Sequence, residues 1–326
     1  MLSVPLIAQV GGTSLETFIT KTIDGLALGA IYALLALGFV IIFKATQVLT
    51  FAHGAVSAMG AYLVSYFAVT LNVPGRWMGD LPVTLQFALS AVLAVLLAAA
   101  IGMALERVFI RPMIGEPLFS IVMITIGLDI VIRTIVGDYI GQGNTVSTGA
   151  PWGFLSQWRI GGVIIQHAQV ATIIVAVITV AVLMWFFKTR IGIAMRATAF
   201  DQEAAMAQGI SAGKIFALAW GIGAALAVIG GIFAAVPPRA LGVSAGTAFF
   251  ALRAFPAIVI GGLDSIKGAV VGGFIVGMAE VMAGHYLSSV TALGIGFNTV
   301  VPYLVMMAVL LVRPHGLYGT VEIRRV

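Results

Sequence analysis

Long apolar runs recur along this sequence and restrict the environments in which it can fold. The runs are about 20 residues long, which is the length a helix needs to cross a hydrocarbon core of about 30 Å. Of the 326 residues, 61% are hydrophobic and 9% are charged, whereas a soluble domain is about 25% charged. The runs show no alternation of apolar and polar residues, so barrel strands are excluded. The sequence therefore predicts an all-α polytopic membrane protein.

About nine transmembrane helices are predicted, some of them broken or re-entrant. Polar residues at the start of the second run and Arg253 with Pro256 in the seventh make these two less regular than the others. The 39 glycines suit close contacts between membrane helices. The predicted spans are 24–43, 50–69, 83–105, 117–137, 169–187, 215–236, 242–263, 268–287 and 298–312.

The placement of basic residues predicts the orientation of these spans. Cytoplasmic loops of membrane proteins are enriched in lysine and arginine. With nine crossings and the N-terminus outside, eleven of the 17 basic residues fall in cytoplasmic loops or the cytoplasmic tail. The basic charge therefore reflects membrane topology and gives no reason to expect nucleic-acid binding. A single domain over 1–326 is predicted, with a flexible or interfacial periplasmic lead-in at 1–23, an external loop at 138–168, a cytoplasmic loop at 188–214 and a cytoplasmic tail at 313–326.

The loop at 188–214 is polar, basic and capable of forming a helix, unlike most of the chain. Its pattern predicts a short helix over 199–208, with a capping box at its start and a glycine at its end. Small residues there would let another protein approach closely, and the alternative is an ordinary solvated loop with one helical turn. The candidate contact residues are Arg196, Thr198, Asp201, Glu203, Ala204, Ala205 and Gly209.

The motifs of several protein classes are missing from the sequence. No G-x-x-x-x-G-K-[ST] motif is present to hold nucleotide phosphates, so the chain is expected not to hydrolyse ATP by itself. The four histidines lack metal-ligand spacing, there is no cysteine, and the 12 acidic residues form no catalytic pair. The sequence predicts no enzyme activity, no metal site and no cofactor bound by this chain.

A few ionisable residues lie within apolar runs, where an unpaired charge is costly. His53, Arg253 and Glu280 are therefore candidates to line a substrate path, together with Phe51 and Gly54 next to His53. The alternative for Arg253 and Glu280 is a structural pair or a position at the membrane boundary. Asp129 and Arg133 are four residues apart on one helical face, which predicts a neutralising ion pair.

Several motifs appear in the same order as in one known family. They are GAIYALLALG at 29–38, FAHG at 51–54, GAY at 60–62, GIAMRA at 192–197, EAA at 203–205 with GI at 209–210, IGGLDSIKG at 260–268 and RPHGLYG at 313–319. Together they resemble the branched-chain amino acid ABC transporter permeases, in particular the first of the two permease subunits. The resemblance covers nearly the whole chain. At position 50 the family usually has asparagine and this chain has threonine.

The resemblance implies one permease subunit of an importer in a bacterial inner membrane. Its expected partners are a second homologous permease, two cytoplasmic ATPase subunits that bind the ATP, and an external substrate-binding protein. In such an importer the helix at 199–208 docks on an ATPase subunit and couples its closure to the permease. The cargo expected is leucine, isoleucine, valine or another apolar amino acid.

Other functions remain open from the sequence. Relatives of the same superfamily move urea or short amides, and these give the first alternative. A gradient-driven carrier without an ATPase is a second, although no relay of Asp, Glu and His side chains supports it. An integral membrane enzyme is a more distant reading, because no catalytic constellation is present.

Overall fold

The structure is a computed structural model, which describes residues 14–77, 79, 81–288, 290 and 296–319. The described residues form a helical bundle with one two-stranded hairpin. Its elements are α1 (Ser14–Thr46), α2 (His53–Ser65), α3 (Val83–Leu105), α4 (Leu118–Tyr139), β1 (Gln157–Ile160), β2 (Val163–Gln166), α5 (His167–Phe186), α6 (Arg190–Phe200), α7 (Gln202–Ala207), α8 (Ala212–Ala235), α9 (Thr247–Phe250), α10 (Phe255–Gly261), α11 (Ile266–Tyr286) and α12 (Phe297–Val312). Residues 1–13 of the predicted lead-in and 320–326 of the predicted tail lie outside the described part.

The helices correspond to the predicted spans and confirm the all-α polytopic class. Among the described residues, six helices are long and apolar enough to cross a membrane. The second, seventh and ninth predicted spans form shorter helices: α2, the broken helix Thr247–Gly261, and α12. The number of crossings and their orientation remain predictions.

α1 begins earlier than its sequence pattern suggests. It starts at Ser14, so residues 14–23 of the predicted lead-in belong to the helix. An ion pair between Lys21 and Asp24, with Nζ and Oδ2 3.1 Å apart, supports the extension because residues three apart lie on one helical face. With 33 residues the helix is about 50 Å long, which exceeds the hydrocarbon thickness.

α1 is the central element of the bundle. Its apolar stretch is 89% buried, against 22% for α3 and for α5, which lie at the periphery. α11 and α8 cover most of its surface. Contact with α11 is close because glycines meet: a Cβ added at Gly277 would lie 2.3 Å from the backbone nitrogen of Gly29.

The shorter helices α2 and α10 are packed by close contacts of the same kind. All 13 residues of α2 are buried, and α2 packs against α3, α4 and α8. A Cβ at Gly60 would lie 2.3 Å from Val228 of α8. On the other side of the bundle, a Cβ at Gly272 would lie 2.1 Å from the carbonyl oxygen of Ala257, which brings α10 onto α11.

The predicted external loop contains a hairpin that the sequence reading did not anticipate. β1 and β2 are antiparallel, with Gln157 opposite Gln166. Gly161 and Gly162 connect them, with φ of 55° and 87°. Positive φ at both central residues is characteristic of a type I′ turn, so the Gly-Gly pair between β-branched residues was an available signal.

The contact between α1 and α11 gives a prediction about stability. We expect Gly277→Ala to lower the melting temperature of the purified protein, because overpacking costs about 1–3 kcal/mol. Gly127→Ala in α4 is the matched control, since nothing lies within 4 Å of its added Cβ and alanine favours a helix by about 1 kcal/mol over glycine. Thermal unfolding in detergent measures both variants. Equal melting temperatures of the Gly277→Ala and Gly127→Ala variants would contradict the close contact between α1 and α11.

Candidate functional site

The irregular segment before α2 opens a groove on one side of the bundle. Gln47 has a φ of 55°, a left-handed conformation that turns the chain after α1. The groove lies between α1, this segment and the broken helix 247–261. Phe51, His53 and Gly54 all line it, so the structure brings these three predicted path residues together.

His53 is buried and engaged by the backbone of α1. Its Nε2 lies 2.9 Å from the carbonyl oxygen of Leu35, and its ring meets Phe39 edge-on with centroids 6.2 Å apart. A Cβ at Gly38 would lie 2.8 Å from the imidazole, so glycine is required there. These contacts fix the start of α2 against α1, which is a structural role whether or not the ring also meets cargo.

Gly54 allows α9 to lie against the first turn of α2. A Cβ at this position would lie 2.4 Å from the carbonyl oxygen of Ala248, a distance that no side chain tolerates. Phe51 is different, because its side chain is 41% exposed at the mouth of the groove. Phe51 is therefore the member of the FAHG motif that is available for contact from outside.

The groove is apolar and narrow in this conformation. Its lining is mostly Leu, Ile, Phe and Ala, with Thr50 and His53 as the polar side chains. Its volume is about 50 Å³, whereas an apolar cavity known to hold benzene measures about 150 Å³. A leucine therefore does not fit until the surrounding helices move apart.

Arg253 and Glu280 form a separate cluster with Tyr32. The buried Glu280 accepts a 2.6 Å hydrogen bond from the Tyr32 hydroxyl, and its other oxygen lies 3.6 Å from the Arg253 guanidinium. Arg253 lies in the 3₁₀ turn Ala251–Ala254 that interrupts the broken helix. These contacts are those of a structural pair that anchors the interruption to α1 and α11, and a role of Arg253 and Glu280 in the substrate path stays a prediction.

The predicted ion pair in α4 is present. Arg133 and Asp129 are 2.7 Å apart, and the guanidinium lies 4.7 Å from the centre of the Phe249 ring. Asp129 also faces the backbone N–H of Ala55 in the first turn of α2. The pair therefore helps to hold the start of α2, where helix N–H groups lack partners within the helix.

The polar loop after α5 forms two helices where one was predicted. α6 covers residues 190–200 and α7 covers 202–207, so the helix predicted over 199–208 is broken at Asp201. Asp201 has extended backbone angles and accepts a 2.9 Å hydrogen bond from the nitrogen of Ala204. Thr198 does not form the predicted capping box, because its hydroxyl donates to the carbonyl of Ala194 inside α6. Gly209 ends α7 as predicted, with a φ of 81°.

α6 and α7 expose side chains that the sequence reading did not select. Phe200, the last residue of α6, is 94% exposed, and Met206 of α7 is 46% exposed. Arg196, Glu203 and Ala204 are exposed as well. Thr198 and Ala205 are buried instead, so these two candidate contact residues support the loop from within. We call the exposed residues Arg196, Phe200, Glu203, Ala204 and Met206 the α6–α7 surface.

The α6–α7 surface is braced against the bundle. α6 contacts the end of α1, and Met195, Arg196 and Ala199 of α6 line a small pocket there with Ile41 and Lys44. Beyond α7, the carbonyl of Gly213 accepts a 2.6 Å hydrogen bond from Arg111. Arg111 also makes two hydrogen bonds to the fully buried Glu106, of 3.1 and 2.8 Å. α6 therefore contacts α1 and α8, α7 contacts α8, and Arg111 joins the end of α3 to the start of α8.

Sequence reasoning missed Phe200, Tyr32 and the pair between Glu106 and Arg111. An isolated phenylalanine in a polar loop was a signal for the first. The acid and base five residues apart at the end of α3 were a signal for the third. Nothing local indicates Tyr32, because its partner Glu280 lies 248 positions away.

Comparisons with known proteins agree with this architecture. Residues 21–312 match the family model described as "Branched-chain amino acid transport system / permease component". The chain is 32% identical over 319 residues to the high-affinity branched-chain amino acid transport system permease protein LivH of Escherichia coli K12, covering 95% of this chain and 98% of that relative. It is 29% identical over 313 residues to the permease protein BraD of Pseudomonas aeruginosa, with the same coverage.

A solved structure, PsaBC from Streptococcus pneumoniae in complex with Fab, covers 90% of this chain at 12% identity with a TM-score of 0.45, too low to support an argument. The family match extends over nearly all of the described helices, and the membrane helices place the protein in the plasma membrane as a multi-pass protein. The chain therefore belongs to the family of branched-chain amino acid transport system permease components.

Proposed function

We propose that this chain is a permease subunit of an ATP-driven importer for leucine, isoleucine, valine or other apolar amino acids. Its partners are a second homologous permease, two cytoplasmic ATPase subunits that bind the ATP, and an external substrate-binding protein. The relatives are branched-chain amino acid permeases by name. The exposed α6–α7 surface, which packs against the bundle, supports the proposed coupling to the ATPase subunits.

The α6–α7 surface has the composition of a protein contact. Exposed apolar patches with a polar rim are typical of protein interaction sites. Phe200 supplies the apolar anchor, while Glu203 and Arg196 supply charges of opposite sign. Aromatic anchors of this kind often dominate the free energy of binding at interfaces. We expect Phe200 to insert into a groove on an ATPase subunit. Binding there would let movement of the ATPase displace α6 and α7.

Movement at the α6–α7 surface can reach the groove through α1. α6 contacts α1 near Ile41 and Lys44. The same helix presents Leu35 and Phe39 to the groove, within about two and a half turns of that contact. Lys44 also donates a 3.2 Å hydrogen bond to the carbonyl of Asp264, which lies between α10 and α11. A shift of α6 therefore displaces helices on two sides of the groove, and the groove must widen before leucine fits.

The lining of the groove suits an apolar cargo. Urea would need several hydrogen-bond partners, and within the groove only Thr50 and His53 offer polar side chains. His53 is already bonded to Leu35. Apolar walls with few polar contacts are the usual design of a site for an aliphatic side chain.

Removing the exposed anchor tests the coupling role. We expect Phe200→Ala to weaken association with the ATPase subunits by about tenfold or more, equivalent to about 1.4 kcal/mol. The ring is 94% exposed, so the variant should fold normally. Phe119→Ala is the matched control, because Phe119 is 71% exposed in α4. Co-purification with the ATPase subunits and ATP-driven uptake measure the effect. Equal losses in both variants would contradict the assignment.

Reversing a charge on α7 tests the same surface by another route. We expect Glu203→Lys to reduce ATPase association and uptake while leaving the melting temperature unchanged, since Glu203 is exposed. Glu116→Lys, an exposed acid before α4, is the matched control. Unchanged association in the Glu203 variant would mean that α7 is not at the interface.

Filling the groove tests the path. We expect Ala251→Trp to reduce leucine uptake to background while ATPase association persists, because the indole occupies the narrow apolar space that Ala251 lines. Ala181→Trp, on the exposed side of α5, is the control for bulk alone. Normal uptake by the Ala251 variant would show that cargo takes another route.

Competition between cargo classes tests the substrate. We expect unlabelled leucine, and not urea, to compete with labelled leucine for uptake in a strain that lacks its own system. Competition by urea would support the amide alternative. Uptake into liposomes that contain this chain without any ATPase subunit would support a gradient-driven carrier.

A further inference from the structure

A second cavity lies at the end of the molecule opposite the α6–α7 surface. It has a volume of about 290 Å³, is open on one side, and is lined by residues of α1, β2, α5, the end of α8 with the segment after it, and α11. Asp24 of α1 lines it, 20 residues before Lys44 at the other end of the same helix. The two ends are therefore about 30 Å apart. This cavity is larger than the groove and more polar.

Asp24 holds a fixed negative charge at the wall of this cavity. One carboxylate oxygen accepts a 3.1 Å hydrogen bond from Lys21, and the other accepts a hydrogen bond from the side-chain amide of Gln169 in α5. These bonds set the position of the carboxylate. A carboxylate has about four acceptor sites, so both oxygens retain capacity for a further donor.

Arg239 supplies the opposite charge. It follows Pro237 and Pro238 after α8 and lines the same cavity. Asp24, Glu280 and Tyr32 are close enough to act on its charge. Among the described residues, however, no hydrogen bond or ion pair engages the Arg239 guanidinium. Its planar fork therefore remains available for a carboxylate from outside.

Apolar side chains form the remaining wall. Phe233 and Val236 come from the end of α8, and Val281 comes from α11. A free aliphatic amino acid carries an ammonium, a carboxylate and an apolar side chain, and this cavity presents one complementary surface for each. Since a cavity of about 150 Å³ accommodates benzene, about 290 Å³ is sufficient for a leucine.

We propose that this cavity binds a zwitterionic apolar amino acid, with Arg239 on its carboxylate, Asp24 on its ammonium, and Phe233, Val236 and Val281 around its side chain. The proposal rests on the proposed function and adds a defined site to it. Neutral cargo such as urea lacks the carboxylate that Arg239 would bind. The site is thus selective for amino acids over amides.

The cavity and the groove both border α1. Tyr32 lies eight residues after Asp24, and Leu35 lies three residues further, so these side chains fall on nearly one face of the helix. Tyr32 bonds to Glu280, and the carbonyl of Leu35 meets His53 in the groove. An amino acid released from the outer cavity would pass the Tyr32, Glu280 and Arg253 cluster before reaching the groove.

Ligand-observed NMR on the full chain in nanodiscs tests the site with three probes. They are leucine, 3-methylbutylamine, which lacks the carboxylate, and 4-methylpentanoate, which lacks the ammonium. We expect leucine to bind wild type more tightly than either analogue. Arg239→Gln should weaken leucine binding by at least about tenfold and leave 3-methylbutylamine binding unchanged, whereas Arg239→Lys should recover part of the loss.

Two further variants complete the test. Asp24→Asn should weaken leucine and the amine while leaving 4-methylpentanoate unchanged, and Arg159→Gln, an exposed arginine in β1, should alter none of the three. Leucine binding that is insensitive to Arg239→Gln would overturn the proposal, and so would equal weakening of leucine and the amine. Melting temperatures of the variants identify any general loss of folding.

Uptake by the complete wild-type importer separates this proposal from the proposed function. If the importer takes up leucine and the chain shows no Arg239-dependent binding, the outer site is wrong and the permease assignment stands. If the wild-type importer takes up no leucine although ATPase subunits associate, the amino-acid assignment itself fails.

Discussion

The close approach of α1 to α11 and α8 is the contact on which the rest of the structure depends. Lipid tails are as apolar as the side chains they surround, so membrane helices associate through van der Waals contact and hydrogen bonds. Glycines at Gly29 and Gly277 bring the two backbones together. α1 is packed on several sides. The same helix contributes residues to the outer cavity, to the groove and to the contact with α6.

Charged residues within the bundle form pairs at the positions where its helices are interrupted. Arg253 and Glu280 meet at a 3₁₀ turn, and Glu106 bonds to Arg111 across a π turn at the end of α3. Asp129 faces the backbone N–H of Ala55 in the first turn of α2. An interrupted helix leaves backbone groups without partners, which is costly in a membrane. Pairing of the side chains lowers the cost of their own burial and fixes the interrupted segment in place.

The same interruptions border the groove. It is bounded by the irregular segment before α2 and by the 3₁₀ turn in the broken helix, and its volume is about 50 Å³. Transport by alternating states requires two arrangements whose balance a partner shifts. The proposed route begins at the α6–α7 surface, passes along α1, and ends at the walls of the groove.

The amino-acid sequence determined the all-α membrane class, the approximate positions of the apolar helices, the stop of α7 at Gly209 and the family. Those features depend on local composition and on motifs of a few residues. Tertiary structure alone decided that Tyr32 bonds to Glu280, that Asp24 and Arg239 share a cavity, and that Phe200 rather than Thr198 faces outward. These pairings depend on the rotation and neighbours of each helix. Helices that are apolar on all sides do not encode that rotation in their hydrophobic pattern, so only the assembled bundle fixes it.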